Sequence, residues 1–527
     1  MKQLVGGIFG SWGGVIVRSR GTARTVLIEH SRSTIFAWCA RSARCAPLLL
    51  AAAVVLLAGC QGFPTTLKQV EKVAPAAVDL DIRQWRTEAG TQVLFVPSPT
   101  IPMLDIQLTF AAGSSRDGNK LGLASMTSSL LDEGAEGLSV DDIARGFEDL
   151  GVAFSSDSYR DMGIIEMRTL TAPEFFTPAM DLFLRVIGQP TFPQESLERT
   201  RQQYLIGMAR QKQVPGPQLS KRLNALLFDG HPYAHPSSGT EESLPLLRRE
   251  DLQAFYQRYY AAQNAVLTMV GDLQEQEARQ LAERITAALP QGEKAANLAR
   301  VAQASEAHVE HIDFDASQTH INIAQQSIWR GHPDWVPLYV GNQILGGGGF
   351  ASILMEEVRQ QRGFVYGISS NISPMAAAGP FQISLQTATE NADEALQLTL
   401  KLLREFIADG PSNAQVQEAV ANISGSMALG VAENDDIVSQ LSSMAFYGMP
   451  LDYLQWFDQQ VRQVTAASIR AAFQRNLDPD ALIIISIGRE PVAITPQTEP
   501  VGAAILPRSD LTAAPTGSEN KPVAADD

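Results

Sequence analysis

Short apolar runs of strand character alternate with longer stretches of helical spacing from about Val78 to Glu490. Thr91-Gln-Val-Leu-Phe-Val96 reads as a strand closed by Pro97, and Leu104-Asp-Ile-Gln-Leu-Thr-Phe110 alternates at period two. Helical spacing follows over residues 121–131 and 139–150. A second set of strands opens at Thr319-His-Ile-Asn-Ile-Ala324, after an Ala-, Gln- and Lys-rich stretch that reads as a linker over 291–309. From residue 491 the chain turns rich in Pro, Ala, Thr and Ser, a composition that predicts a disordered tail over 491–527.

The two stretches echo each other. Tyr256-Gln-Arg leads to Ala265-Val-Leu-Thr-Met-Val-Gly271, and Phe473-Gln-Arg leads to Leu482-Ile-Ile-Ile-Ser-Ile-Gly488. Leu150-Gly-Val-Ala-Phe154 corresponds to Arg362-Gly-Phe-Val-Tyr366, with Gly134 and Gly346 at matching offsets. Several matches in one order predict duplication of an α+β unit of roughly two hundred residues. Each copy, 78–290 and 310–490, is expected to be an antiparallel-rich sheet with helices packed on one face.

Composition adds little to this fold and more to compartment. The 527 residues carry a net charge of −16, which excludes nucleic acid as a partner because phosphate binding needs a basic face. The three cysteines, Cys39, Cys45 and Cys60, all precede the patterned region, so neither a disulfide framework nor a thiolate zinc cluster is expected downstream. Arg41 and Arg44 lead into an apolar run, residues 46–58, too short for a comfortable membrane span. The run closes with Leu57-Ala58-Gly59-Cys60, which resembles the bacterial lipobox, so that residues 1–60 read as leader and lipoprotein signal and Cys60 as the lipidated residue. Gln61 after the cysteine implies outer-membrane anchoring facing the periplasm, with 61–77 as spacer.

The order of elements and several landmarks resemble the M16 family of metallopeptidases (pitrilysin, insulinase, mitochondrial processing peptidase). Ala112-Gly113-Ser114-Ser115-Arg116-Asp117 is similar to the family's turn before the catalytic helix, and Gly122-Leu123-Ala124 to the start of that helix. Phe228-Asp-Gly-His-Pro-Tyr233 with Gly239 resembles its Pro-Tyr loop, and Val270-Gly271-Asp272 the end of its first domain. Active members carry H-x-x-E-H on the helix: two imidazoles at i and i+4 reach one zinc, the Glu acts as general base, and a distant Glu completes the ligand set.

At the aligned slot this chain reads Ser125-Met126-Thr127-Ser128-Ser129. Serine stands at both ligand positions and at the base, and a neutral hydroxyl serves poorly as either. Glu198-Arg199 marks the approach to the distant ligand, yet Gln203-Tyr204-Leu205-Ile206 supplies no carboxylate. No resident metal or cofactor is expected. His308-Val-Glu-His311 and the pair His231 and His235 lack a third ligand and a base, so structural roles are expected for them; Asp132 and Glu133 read as solvated or capping groups. No G-x-S-x-G elbow surrounds the serines, which argues against a serine hydrolase.

The second half keeps more of the family pattern: Gly346-Gly347-Gly348-Gly349, a helical stretch over 350–361, then Arg359, Arg362-Gly363 and Tyr366. In the family an Arg and a Tyr of the second domain reach the substrate, and in its short-subunit branch that pair can come from a zinc-less partner. The resemblance therefore implies substrate binding by Arg359, Tyr366 and the glycine run. It further implies a zinc-bearing H-x-x-E-H subunit as partner and peptides as substrates. The alternatives are a non-enzymatic envelope scaffold that binds peptides or proteins, and an independent metallopeptidase with an unusual site.

Overall fold

The structure, a computed structural model, describes residues 80–302 and 306–493. The leader, Cys60, the spacer, and the tail from residue 494 onward lie outside the described residues. The first half builds β1 (Arg83–Arg86), β2 (Gln92–Pro97), β3 (Met103–Phe110), β6 (Ala153–Ser158), β7 (Gly163–Leu170) and β8 (Ala265–Gly271) into a sheet of order β1-β2-β8-β3-β7-β6. A small ribbon, β4 (Gly134–Ala135) with β5 (Leu138–Ser139), stands apart. The continuous apolar run of β8 suits its interior place, where every residue is buried. Polar β6, Ala-Phe-Ser-Ser-Asp-Ser, takes an edge and pairs with β7 alone.

The second half repeats this plan. Strands β9 (His308–Asp313), β10 (Gln318–Gln326), β11 (Val365–Ile372), β12 (Pro380–Ala388) and β13 (Ile483–Gly488) form a sheet of order β11-β12-β10-β13-β9. The order matches β6-β7-β3-β8-β2 strand for strand, and each sheet contains one parallel pair, β2 with β8 and β9 with β13. The duplication read from the repeated segments is thus present in the connectivity, and Phe154 and Tyr366 fall on equivalent edge strands. Strand β9 starts at His308, inside the stretch expected to be linker, because its backbone completes the sheet beside β13.

Each sheet packs its own helices on one face. In the first half these include α1 (Leu123–Ser128), α2 (Val140–Asp149), α3 (Pro173–Gly188), α4 (Gln194–Gln211), α5 (Pro215–Leu227), α6 (Arg249–Tyr259) and α7 (Glu275–Ala288). The second half adds α8 (Trp335–Asn342), α9 (Ala392–Asp409), α10 (Asn413–Ser426), α11 (Asn434–Phe446), α12 (Tyr453–Gln463) and α13 (Ala466–Asn476). Two helices break the segregation by crossing over. Leu219, Leu223 and Leu227, at i, i+4 and i+8 on α5, pack on Ile483, Ile485 and Ile487 of the second sheet. Reciprocally, α11 lies on β3 and β8, where its Ala445 meets Leu94 and Val266 of the first sheet. Burying each leucine contributes about 1.5–3 kcal/mol, so each half supplies part of the other's core.

The connecting stretch is pinned at several points. Glu293 O accepts from Arg258 at 3.0 Å, Ala295 N donates to Asn264 at 2.9 Å, and Arg300 stacks 3.7 Å over the Trp329 ring. A buried knot also joins the halves. Asp161, in the turn between β6 and β7, accepts from Tyr233 OH, from Tyr447 OH at 3.0 Å and from Ala376 N at 2.9 Å. The polar edge hairpin of the first sheet is thereby tied to the second half.

Candidate functional site

Helix α1 is short and held at its start by a carboxylate. Gly122 enters in the left-handed region, φ 89°, and Asp117 accepts from Gly122 N at 2.7 Å and Ala124 N at 2.8 Å. Burial pushes the Asp117 carboxyl up to about 7, against the lowering effect of those two bonds. The preceding turn demands glycine, because a Cβ on Gly113 would run into the Arg160 carbonyl oxygen. The loop after α5 closes over the same helix, and a Cβ on Gly239 would stand 2.6 Å from Leu121 O. The landmark glycines and acid therefore serve to seat α1.

On that helix Ser125, Ser128 and Ser129 are engaged with neutral groups. Ser125 Oγ donates to Ser237 O at 2.7 Å, Ser128 Oγ meets Ser156 Oγ at 2.8 Å, and Ser129 Oγ meets Tyr204 OH at 2.7 Å. Tyr204, on α4, stands against the helix where a distant acidic ligand would be sought from the sequence, and burial pushes its phenol upward. None of these bonds reaches an imidazole or a carboxylate, so the serines have no base to activate them. Met126 and Thr127 turn into the core. Among the described residues no three His, Cys, Asp or Glu side chains converge in a metal-holding group. A zinc ion does not fit this donor set, since uncharged hydroxyls already paired with one another offer neither thiolate, imidazole nor carboxylate.

The four histidines weighed as ligands each have a hydrogen-bond partner. His308 and His311 sit on strand β9, where a separation of three residues sends them to opposite faces. His308 pairs with Glu310 at 3.1 Å and His311 Nδ1 with Ser486 Oγ at 2.8 Å. His231 accepts from Tyr233 N at 3.2 Å and meets Ala299 O at 3.1 Å, while His235 meets Pro236 O at 3.2 Å. Burial pushes both His231 and His235 toward the neutral form. Glu133, expected to be solvated or capping, is instead ion-paired with Arg199, because α4 brings that guanidinium across.

The second half presents a different surface. Gln343–Gly347 forms a widened π turn closed by Gly348 N to Gln343 O at 2.8 Å, and Gly349 adopts a left-handed φ of 61°. The expected continuous helix over 350–361 breaks at Ser352 and ends in a second π segment, Met355–Gln361. Gly346 is turned inward, where a Cβ would stand 2.6 Å from Ser370 N, so of the four glycines expected to bind substrate Gly347, Gly348 and Gly349 are exposed and Gly346 is buried. The β11–β12 register shifts between Val365 and Gly367, which swings Tyr366 outward at 64% exposure. The Arg359 guanidinium lies 4.8 Å over the ring of Phe350, itself 65% exposed.

Three residues of this arrangement are not marked by sequence reasoning. Tyr204 gives no ligand signal, yet a phenol can fill a vacated ligand place and satisfy a neighbouring hydroxyl. Asp161 carries no local motif, since its partners lie far along the chain. Phe350 does carry a signal, an aromatic placed directly after a glycine run, which a helical reading absorbs as an ordinary helix start.

Comparison with known proteins fits this geometry. Residues 92–241 match the family described as Insulinase (Peptidase family M16), and residues 247–423 match the Peptidase M16 inactive domain. Over 400 residues the chain is 27% identical to a protein of Helicobacter pylori named non-peptidase homolog YmxG, covering 72% of this chain and 88% of that protein. An uncharacterized zinc protease YmxG of Bacillus subtilis is 20% identical, covering 68% and 87%. The crystal structure of a peptidase M16 inactive domain from Pseudomonas fluorescens superposes with a TM-score of 0.76 at 42% identity, covering 78% of this chain and 99% of that one. A solved protease of Helicobacter pylori, at 17% identity and a TM-score of 0.71, shares the fold.

Proposed function

We propose that this chain, which belongs to the M16 (insulinase) peptidase family, is a non-catalytic member that binds peptides and completes the site of a zinc-bearing relative. One contrast carries the reading. The zinc helix holds only hydroxyls, while the second half keeps an exposed Tyr366, exposed Gly347, Gly348 and Gly349, and a half-buried Arg359 whose guanidinium stacks on exposed Phe350. Hydrolysis then falls to the partner subunit, whose H-x-x-E-H helix supplies metal and base. This chain contributes donors to substrate carbonyls and to the developing oxyanion. Of the four edge strands, the equivalent pair β6 and β11 each pair with one neighbour only and would offer free backbone to an extended peptide. The name of the Helicobacter pylori relative, a non-peptidase homolog, supports the non-catalytic part of this reading.

The proposed setting is the cell envelope. It rests on Leu57-Ala58-Gly59-Cys60, with Cys60 lipidated and the folded part in the periplasm beside the outer membrane. The test combines metal analysis with reconstitution. The purified chain is expected to hold no stoichiometric zinc and to cleave nothing alone; mixed with a zinc-bearing subunit it is expected to support peptide cleavage. Arg359→Ala or Tyr366→Ala should lower turnover more than assembly. Equal cleavage with both replaced, or zinc-dependent cleavage by this chain alone, overturns the proposal.

A further inference from the structure

Helices α8 and α12 pack against each other, and their first residues, Trp335 and Tyr453, place two polar groups side by side. Neither Trp335 Nε1 nor the Tyr453 hydroxyl has a hydrogen-bond partner, although the residues are only 7% and 8% exposed. Unmade bonds at such depth are costly and ask for an acceptor. A cation stands beside them. The Arg330 guanidinium lies 5.0 Å over the Tyr447 ring and close enough to Tyr453 for its charge to favour the phenolate. Arg330 Nε is buried without a partner, and among the described residues no carboxylate is paired with this guanidinium. The acids of the neighbourhood are used elsewhere or point to water: Asp334 pairs with Arg475 at 2.6 Å and Asn476 at 2.8 Å, Asp161 accepts from Tyr447 at 3.0 Å, and Asp452 is exposed. Neither Asp334 nor Asp452 caps its helix by side chain, so the first turns of α8 and α12 add their free backbone N–H groups and positive dipole ends.

We propose that Arg330, Trp335 and Tyr453 form a binding site for a small oxyanion, a phosphate or a carboxylate, where α8 and α12 begin. Guanidinium, indole and phenol are all donors, and their common complement is an oxygen that carries negative charge. A water molecule can accept from two of them but leaves the guanidinium unpaired. An oxyanion meets all of them and is favoured by both helix starts. Tyr447, stacked on Arg330, also donates to Asp161 in the turn between β6 and β7, so the bound anion braces the joint between the halves. The inference uses no residue of the peptide-binding reading and stands or falls apart from it.

The test titrates the full chain with sodium phosphate or sodium acetate, with ionic strength held constant by sodium chloride. Tryptophan fluorescence, to which Trp335 contributes, and calorimetry follow binding. Saturable binding of either salt over the chloride background is expected. A response to phosphate alone assigns the site to a free oxyanion, and a response to acetate alone assigns it to the carboxylate of a ligand. Arg330→Gln should weaken binding about tenfold or more, and Tyr453→Phe about threefold or more, as for bonds to a charged acceptor. Tyr453→Phe keeps the ring and removes only the hydroxyl, so it decides the matter should Arg330→Gln fail to fold. No saturable binding of either salt overturns the site. Binding that is unchanged in the folded variants means an adventitious ion only and overturns it equally.

Discussion

Asp117 offers a direct measurement of how the degenerate helix is held. Two opposed effects act on its carboxyl: burial favours the neutral acid, and the bonds from Gly122 N and Ala124 N favour the anion. Their balance raises it from 3.8 to about 7. A folded-state value above the unfolded one means that the folded protein binds the proton more tightly. The associated stability is full below the unfolded value and is lost as pH rises through the folded value near 7. At 1.36 kcal/mol per unit, the native state at pH 5 is favoured by roughly 2.7 kcal/mol over the fully ionised condition, and at pH 8 by almost nothing. Asp117→Asn keeps one acceptor and does not titrate. Urea unfolding of both proteins at pH 5, 6 and 8 isolates the residue, because other titrations cancel in the difference. The Asp117→Asn variant is expected to gain on the parent protein by about 2–3 kcal/mol between pH 5 and pH 8. A gap that stays constant within about 0.5 kcal/mol would show that the two N–H bonds outweigh burial and that the acid is ionised at pH 5.

Other expectations concern the joints of the fold. Asp161→Ala strands the Tyr447 and Tyr233 hydroxyls and Ala376 N at once and should cost about 3–5 kcal/mol by thermal or urea unfolding, whereas Asp181→Ala, at an exposed pair with Arg284, should cost under about 1 kcal/mol. Ser129→Ala and Tyr204→Phe should each cost about 1 kcal/mol, and the double variant should cost little more than either, since both remove one bond. Leu223→Ala on α5 should cost about 2–5 kcal/mol, and tryptophans of both halves should report one coincident transition because the helix fills the other half's core. Separate transitions would refute that coupling.

The strands were legible because their patterns are local. The all-buried run Ala265–Gly271 and its echo at Ile483–Gly488 announce two interior strands, and the period-two pattern of Met103–Phe110 announces the strand between β8 and β7. The serines of α1 could be read for the same reason, since their spacing along one helix is fixed by covalent geometry. What stayed hidden depends on distance along the chain. The stripe of Leu219, Leu223 and Leu227 says that α5 buries a face, not that the face belongs to the other half's sheet. The break at Ser352 and the π turns around it arise where glycines remove side-chain restraint, and a helical reading has no means to place them.

The two halves of the molecule lost and kept different things for physical reasons. A buried cluster of imidazoles and carboxylates is tolerable when a cation binds it and costly when none does. Ser125 and Ser128 are 9% and 2% exposed, so charged groups left there without metal would have faced that cost. Small neutral hydroxyls that bond one another, with the Tyr204 phenol filling the remaining place, remove it. No such pressure acts on Phe350 and Tyr366, which stand 65% and 64% exposed. An exposed aromatic adds little to folding and raises the risk of unwanted association. Folding accounts for the serines; it does not account for exposed Phe350 and Tyr366, and the contact with another molecule that we propose would.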